Sequence, residues 1–204
     1  MAMDHFITLP VGLLETNCYL VPVGKRLYLI DPGADAPEII EAAGQFDYDE
    51  AIILLTHAHV DHIGAVGATA RALSAKRILL SAADEPLYAS KENQLLPYLP
   101  RVTDLPPTSA KFDGLDCEVI FTPGHTPGGC CYYFQSIPAI FVGDTLFAGS
   151  IGRTDLPGGS GRTLLESIQQ RLIVLPDDLK FYPGHGPVGT IGHEKKYNPY
   201  LSGC

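Results

Sequence analysis

The feature that most constrains this chain is an apolar run that leads directly into a cluster of metal-binding side chains. Residues 51–55 read as a short buried strand, and residues 56–62 follow with three histidines and one aspartate: His57, His59, Asp61 and His62. On so short a turn these four side chains cannot all point away from one another. Borderline-soft divalent metals favour imidazole ligands, with carboxylates filling the remaining positions. The pattern indicates a metal site; the alternative is a solvated polar loop that contains histidines by chance.

Three later segments repeat one local design, in which an apolar strand delivers a glycine and then a side chain that can bind metal. They are residues 121–125, 140–144 and 181–185, which end in His125, Asp144 and His185. Glycine allows a sharp exit from a strand and a close approach of the backbone. Functional groups are often placed on such strand-end loops over a rigid scaffold. Each segment alone reads equally well as a capped turn, but together with residues 57–62 they predict one shared site.

Composition restricts the partners of this site. The chain has 14 Lys and Arg against 23 Asp and Glu, a net charge of −9, whereas nucleic-acid binding needs clustered basic residues. No apolar run approaches the length of a membrane span. The five cysteines form an odd, unpatterned set, which favours a reducing cytoplasm over a disulfide framework. We expect a cytoplasmic protein that acts on a small molecule; the oligomeric state is not indicated.

The order of the predicted elements indicates an α/β protein with two sheets faced by helices, because strands are grouped with strands and helices lie between the groups. The 46% hydrophobic content and the 204 residues suit a single domain over residues 1–204. Strands are predicted at residues 18–21, 27–30, 52–55, 77–80, 117–121, 139–142 and 179–182, and a hairpin region at residues 129–134. Helices are predicted at residues 36–44, 64–75 and 163–171, and residues 84–107 as a helix with an irregular surface segment.

The number of ligands predicts two metals. Five imidazoles and two carboxylates exceed the four ligands of a closed structural zinc site, and they suit two ions with room for water. Bound water then becomes available as hydroxide near neutral pH. The sequence has no Gly-x-Ser-x-Gly segment, so a serine hydrolase is not supported. Cys130 and Cys131 could suggest a thiol nucleophile, but beside three aromatic residues they read better as hairpin packing.

With these residues in place, the chain resembles the metallo-β-lactamase-fold hydrolases, and among them the short glyoxalase II-like (hydroxyacylglutathione hydrolase-like) proteins. The matching elements run through almost the whole chain, and the resemblance implies a four-layer αββα sandwich with the site at one edge. It implies two ions, zinc first and iron or manganese as alternatives. The implied ligands are His57, His59 and His125 for one metal, Asp61, His62 and His185 for the second, and Asp144 as the bridge.

The resemblance also bears on the substrate. Arg153 corresponds to a basic residue that meets the carboxylate end of the substrate in the family, and a guanidinium can bind a carboxylate through two hydrogen bonds. The alternative is a surface arginine paired with Asp155. Full-length glyoxalase II enzymes carry a further C-terminal helical domain that supplies much of the glutathione site. This chain ends soon after residues 190–199, and we expect it to lack that domain.

These observations predict a binuclear hydrolase of small thioesters, of the S-2-hydroxyacylglutathione type, in which a hydroxide bridging the metals attacks the thioester carbonyl. Asp61 and Asp144 would orient the hydroxide. Asp31 is expected either to orient a ligand imidazole or to form a plain Asp-Pro-Gly turn. The nearest rival is a mononuclear iron persulfide dioxygenase, which a set such as His57, His125 and Asp144 would serve. A nuclease and a non-enzymatic binding module are weaker alternatives.

Overall fold

The computed structural model describes residues 6–201, which fall into two compact units divided after Asp113. Each unit has its own sheet and its own hydrophobic core. Among the described residues, none of the helices combines the length and the apolar character that a bilayer crossing requires. The assignment of residues 1–204 to a single domain stays a prediction.

The first unit is a five-stranded mixed sheet with helices, in the sheet order β1-β2-β3-β4-β5. Strands β1, β2 and β3 form an antiparallel meander, whereas β3, β4 and β5 are parallel. The strands are β1 (Ile7–Val11), β2 (Thr16–Val23), β3 (Arg26–Ile30), β4 (Glu50–Leu54) and β5 (Arg77–Leu79). The helices are α1 (Ala36–Ala43), α2 (Val60–Ile63), α3 (Val66–Ala72) and α4 (Glu85–Ala89).

The inner strands of this sheet explain why its polar groups lie at one edge. Every residue of β4 after Glu50 is buried, because helices cover a parallel sheet on its faces. The core includes Leu29 and Ile53 from the strands, with Ile39 of α1 and Val66 of α3 packed on them. Since Ile30 pairs with Leu54, strands β3 and β4 end together. The residues that follow them, Asp31 and Thr56–His57, therefore leave the sheet at the same edge.

The second unit is also built on a five-stranded mixed sheet, in the order β12-β11-β8-β7-β6, with a separate two-stranded sheet of β9 and β10. Its strands are β6 (Glu118–Phe121), β7 (Cys130–Phe134), β8 (Ala139–Gly143), β9 (Leu146–Phe147), β10 (Ser150–Ile151), β11 (Lys180–Pro183) and β12 (Gly189–Thr190). Its helices are α5 (Gly161–Ser167), continued by a π-helical turn at Ile168–Leu172, and α6 (Ile191–Tyr197).

Strand directions bring three strand ends to one edge of the second sheet. Strand β6 is antiparallel to β7, β7 is antiparallel to β8, and β8 is parallel to β11. Strands β6, β8 and β11 therefore run in the same direction, and each is followed by one of the predicted Gly-His or Gly-Asp pairs. Leu164 and Ile168 of the α5 segment pack on this sheet with Ile140 and Phe181.

The sequence expectations differ from the structure in a few elements. The helix predicted at residues 64–75 is present over a shorter range as α3, and a separate short helix, α2, precedes it. At Gly64, between these two helices, an added Cβ would lie 2.1 Å from the Gly33 carbonyl oxygen. Strand β1 was not predicted; it contains Pro10 and lies at the sheet edge, where proline is tolerated. Helix α6 was also not predicted.

Candidate metal centre

In the first unit, Asp31 follows β3, and its carboxylate is hydrogen-bonded to Thr56, which follows β4. This side chain is buried and accepts hydrogen bonds from the Thr56 amide at 2.8 Å and the Thr56 hydroxyl at 2.6 Å. It also lies 3.0 Å from Nδ1 of His62, which donates to it. The backbone of Asp31 has a φ of 50°, a left-handed conformation that aspartate tolerates better than most residues. Asp31 thus holds a predicted ligand imidazole through a hydrogen bond.

The same network fixes the tautomer of His57. The Thr56 hydroxyl has one proton, which it donates to Asp31, so it accepts from Nδ1 of His57 at 3.0 Å. With Nδ1 protonated in both His57 and His62, the lone pair of each ring is on Nε2. Orientation of a ligand imidazole by an oxygen acceptor on its other nitrogen is the usual arrangement in metal sites. The ligand atoms of Asp31, His57 and His62 lie within 4.8 Å of one another.

The remaining predicted ligands of this unit surround the two buried rings. The ring centroids of His57 and His59 are 4.8 Å apart, and those of His57 and His62 are 4.0 Å apart. Oδ2 of Asp61 lies 3.5 Å from Nε2 of His62 and accepts a hydrogen bond from the Thr16 hydroxyl at 3.3 Å. The structure therefore brings all four residues of the opening motif together on one side of a short turn.

Two residues that the sequence analysis did not identify hold this turn in place. The Ala58 amide, between His57 and His59, donates to Oδ2 of the buried Asp84 at 3.0 Å. The Ala58 carbonyl accepts from Nδ2 of the buried Asn93 at 2.7 Å. Asp84 and Asn93 both lie in the segment after β5, 26 and 35 residues beyond Ala58. No local pattern near the histidines could have revealed them.

In the second unit, Asp144 lies between two imidazoles. Its Oδ2 is 3.6 Å from Nε2 of His125 and 3.6 Å from Nε2 of His185. Nδ1 of His125 donates to the Arg153 carbonyl at 2.7 Å, which leaves the lone pair of that ring on Nε2. Two donor atoms bound to one ion at about 2.0–2.1 Å in tetrahedral geometry lie roughly 3.4 Å apart. The two 3.6 Å distances from Asp144 are close to this value, as expected for a carboxylate that binds a cation together with His125 or with His185.

Glycine is required at two places in this half of the site. Gly124 has a φ of 137°, and an added Cβ would lie 2.3 Å from the backbone of Leu164 in α5. At Gly152 an added Cβ would lie 1.9 Å from the Asp144 carbonyl oxygen and 3.3 Å from the Cβ of His125. The segment that carries Arg153 is thereby packed directly against both ligand residues. The sequence marked Gly124 as a turn residue but did not indicate the close packing of Gly152.

Arg153 adopts the arrangement that the sequence analysis gave as its alternative. Its Nε and Nη2 donate to the two carboxylate oxygens of Asp155 at 2.8 Å and 2.7 Å. This hydrogen bonding lowers the pKa of Asp155 to about 2. The carbonyl of Arg153, rather than its guanidinium, contacts a predicted ligand. A role for the side chain in binding substrate stays a prediction.

The described cysteines behave as packing residues. Cys130 and Cys131 are buried in β7, as the packing interpretation requires. Burial raises the pKa of the Cys131 thiol to about 12, and the hydrogen bonds that this thiol makes with Thr122 and Thr145 act in the opposite direction. Burial also raises the pKa of Cys18 strongly, with a smaller contribution from the Asp31 carboxylate. Neither Cys18 nor Cys131 is therefore a thiolate at neutral pH, as a thiol nucleophile or a metal-binding thiolate would need to be.

The donor set fits divalent transition metals. It consists of imidazoles, three of which have their Nδ1 hydrogen-bonded to oxygen acceptors, and of carboxylates. This nitrogen and oxygen chemistry suits zinc, iron or manganese. Calcium and magnesium would instead require a shell made mainly of oxygen ligands. The residues on both units are thus chemically appropriate for the ions that the sequence predicted.

Comparison with known proteins gives a consistent result. The sequence model of the Metallo-beta-lactamase superfamily matches residues 11–185, a range that contains every predicted metal ligand. A relative from Haemophilus influenzae, named hydroxyacylglutathione hydrolase GloC, is 35% identical over 204 residues, which cover 95% of this chain and 96% of the relative.

Two solved structures are also similar along their whole length. The structure of BLEG-1 B3 metallo-beta-lactamase is 36% identical with a TM-score of 0.84, covering 98% of this chain and 100% of that one. The structure of TTHA1623 in a di-iron-bound form is 36% identical with a TM-score of 0.87, covering 96% of this chain and 100% of that one. These matches confirm the fold class that the sequence predicted.

Proposed function

Because this chain belongs to the metallo-beta-lactamase superfamily, we propose that it is a binuclear, metal-dependent hydrolase of small thioesters. The observation that carries the proposal is the position of Asp144 Oδ2, which lies 3.6 Å from Nε2 of both His125 and His185. Support for a thioester comes from the relative named hydroxyacylglutathione hydrolase, which matches nearly the whole chain. The proposed ligands are His57, His59 and His125 for one metal, Asp61, His62 and His185 for the other, and Asp144 as the bridge.

In this proposal the buried acceptors keep the ligand rings in the required state. Asp31 and Thr56 hold His62 and His57 with Nδ1 protonated, and the Arg153 carbonyl does the same for His125. Each ring then directs the lone pair of its Nε2 atom away from that acceptor, toward a metal. Divalent metals, when bound, bring the pKa of water down toward about 7 and polarise a carbonyl oxygen.

The two carboxylates of the site would position the attacking water. Asp61 and Asp144 are acceptor-only groups when ionised, so they can accept its hydrogen bonds and aim its lone pair at the carbonyl carbon. The water oxygen forms a bond to this carbon, the carbon–sulfur bond breaks, and the products are a carboxylate and a thiol. Each of the two side chains is partly accessible, with exposures of 14% for Asp61 and 13% for Asp144.

We assign the carboxylate end of the substrate to Arg153. Its side chain is 55% exposed and already binds the carboxylate of Asp155 through two donors. A substrate carboxylate would replace Asp155 in the same bidentate geometry. The proposed setting is the cytoplasm, with a glutathione-derived thioester as the first substrate to test. None of the cysteines in the described part of the chain forms a disulfide.

The experiment is a substrate panel tested on protein reconstituted with zinc, iron or manganese. It contains S-lactoylglutathione, acetyl thioesters, a chromogenic β-lactam and glutathione persulfide with an oxygen electrode. We expect thioester cleavage that needs no oxygen. Oxygen uptake dependent on persulfide, with no thioester cleavage, would establish the dioxygenase instead. Turnover of the β-lactam alone would place the activity with that of the B3 lactamase neighbour.

A further inference from the structure

A small apolar pocket in the first unit opens beside Asp61. It has a volume of 190 Å³, and the turn between β1 and β2 forms one wall with Leu13 and Leu14. Leu99, Pro100 and Val102 form the facing wall. Leu13 is 65% exposed and Leu14 is 37% exposed, so the turn places two leucines in solvent at the rim of the pocket. Exposed leucines around a concave surface indicate a site that binds an apolar group.

The turn that carries these leucines is fixed at both ends. Before them, the Gly12 amide donates to Oδ2 of Asp35 at 2.7 Å. After them, the Thr16 hydroxyl donates to Asp61 at 3.3 Å. An added Cβ at Gly12 would lie 2.8 Å from the Cβ of Ala34, so the turn also packs directly on the floor of the pocket. The position of the leucines relative to the predicted metal ligand Asp61 is therefore set by the fold.

The lining excludes a charged ligand group. Asp61 is the one charged residue among those that line the pocket, and the others are apolar residues, glycines and Thr16. A carboxylate would be repelled by Asp61, and an ammonium group would lose its hydration with one partner in return. A glutathione-like thiol carries both kinds of group. Binding of an uncharged hydrocarbon group is instead favourable, in proportion to the apolar surface area that the pocket removes from water.

We infer that this pocket receives the acyl group of the thioester and makes the enzyme selective for apolar acyl chains up to about the size of a phenyl ring. The inference rests on the proposed thioester hydrolysis. A dry cavity of about 150 Å³ in a protein is known to hold benzene, so 190 Å³ is sufficient for a group of that size. Placed here, the acyl chain has its carbonyl end next to Asp61, one of the residues proposed to orient water.

The first test is a series of acyl thioesters of one thiol: acetyl, butanoyl, hexanoyl and phenylacetyl. We expect kcat/KM to rise about fourfold for each methylene that enters the pocket, the factor that corresponds to burial of one methylene. Ala34→Leu fills the pocket and should remove this rise. Leu13→Ala should reduce the rise; Leu96→Ala is the matched control, since Leu96 is 63% exposed and does not line the pocket.

The second test needs no turnover. Benzene is titrated into the protein as purified, and the methyl NMR signals of Leu13, Leu14 and Val102 are followed. Saturable shifts that Ala34→Leu abolishes support the pocket. The acyl assignment is wrong if the acetyl thioester is cleaved but kcat/KM does not change along the acyl series. It is also wrong if kcat/KM depends on the size of the thiol instead. In both cases thioester hydrolysis stands. If no thioester is cleaved, the proposed function fails, and benzene binding decides whether the pocket still takes an apolar group.

Discussion

The two units supply the proposed metal ligands in different ways. In the first unit, four proposed ligands come from six consecutive residues, His57 to His62, on one turn after one strand. In the second unit, His125, Asp144 and His185 come from the ends of three separate strands. The first arrangement is local in the sequence, whereas the second exists only after the sheet has formed.

This difference extends to the residues that support the ligands. The local turn depends on remote partners, since Asp31, Asp84 and Asn93 all bind it from other parts of the unit. The strand ends depend on close backbone packing instead, at Gly124 and Gly152, and on one backbone acceptor, the Arg153 carbonyl. A ligand cluster that is compact in sequence thus needs side-chain anchors, whereas ligands on paired strands are held by the sheet.

The largest expected effect concerns Asp144, which touches ligands on both sides. Asp144→Ala should lower kcat/KM by more than about 100-fold, beyond the usual cost of losing a residue that only orients a ligand, and metal should be lost with it. Metal content by mass spectrometry and thioester turnover are measured on the same sample. Asp178→Ala, an exposed aspartate of the same unit, is the control. A fully metallated, active variant would refute the bridging role.

Asp31→Asn tests the side-chain anchor of the first unit. The amide cannot accept all the hydrogen bonds that the carboxylate accepts, so the orientation and basicity of His62 should suffer. We expect metal affinity to fall by about 10- to 100-fold, as is usual for residues that orient ligand imidazoles. The control is Asp47→Asn, the same chemical change at an exposed salt bridge. Unchanged affinity, measured by competition with a chelator, would mean that the turn alone orients His62.

Asp84→Ala tests whether the local turn needs its remote partner for stability. It leaves the Ala58 amide without the acceptor it has in the native structure, in a buried position. A buried donor that loses its acceptor costs about 1–3 kcal/mol, and the free energy of unfolding by urea should fall by that amount. Asp49→Ala, at an exposed position, serves for comparison. A loss no larger than that of Asp49→Ala would show that Asp84 is dispensable to the turn.

The smallest effect concerns the Arg153–Asp155 pair of the second unit. The native pKa of Asp155 is lowered to about 2, below the ordinary value of 3.8, so the pair stabilises the folded state above that ordinary value and loses this contribution only as the pH falls toward 2. NMR titration of the Asp155 carboxyl carbon should give a midpoint near 2. In Arg153→Ala the midpoint should return toward 3.8. An ordinary midpoint in the unmodified protein would contradict the pair.

Much of the site was predictable because its ligands follow apolar strands. The segments before His57, His125, Asp144 and His185 have the period and length of buried strands, and the structure places a strand before each. Strand pairing then brings the ligands of each unit to one edge without further information from the loops.

The remainder was not predictable because it depends on contacts between distant residues. Nothing near Ala58 indicates Asp84 or Asn93, and nothing near Gly64 indicates the close approach of Gly33. The same holds for Glu194 of α6, whose Oε2 accepts from the Gly149 amide at 2.8 Å and so ties the C-terminal helix to the segment after β9.

The proposed ligand set binds two metals, and metal counting on matched variants is the sharpest test of that number. Protein stripped of metal is reconstituted with zinc, and bound zinc per chain is measured after removal of the excess. We predict two ions in the unmodified chain and about one in His62→Ala, which removes a ligand proposed for the second metal alone. One ion in the unmodified chain, with the same value in His62→Ala, would contradict the account.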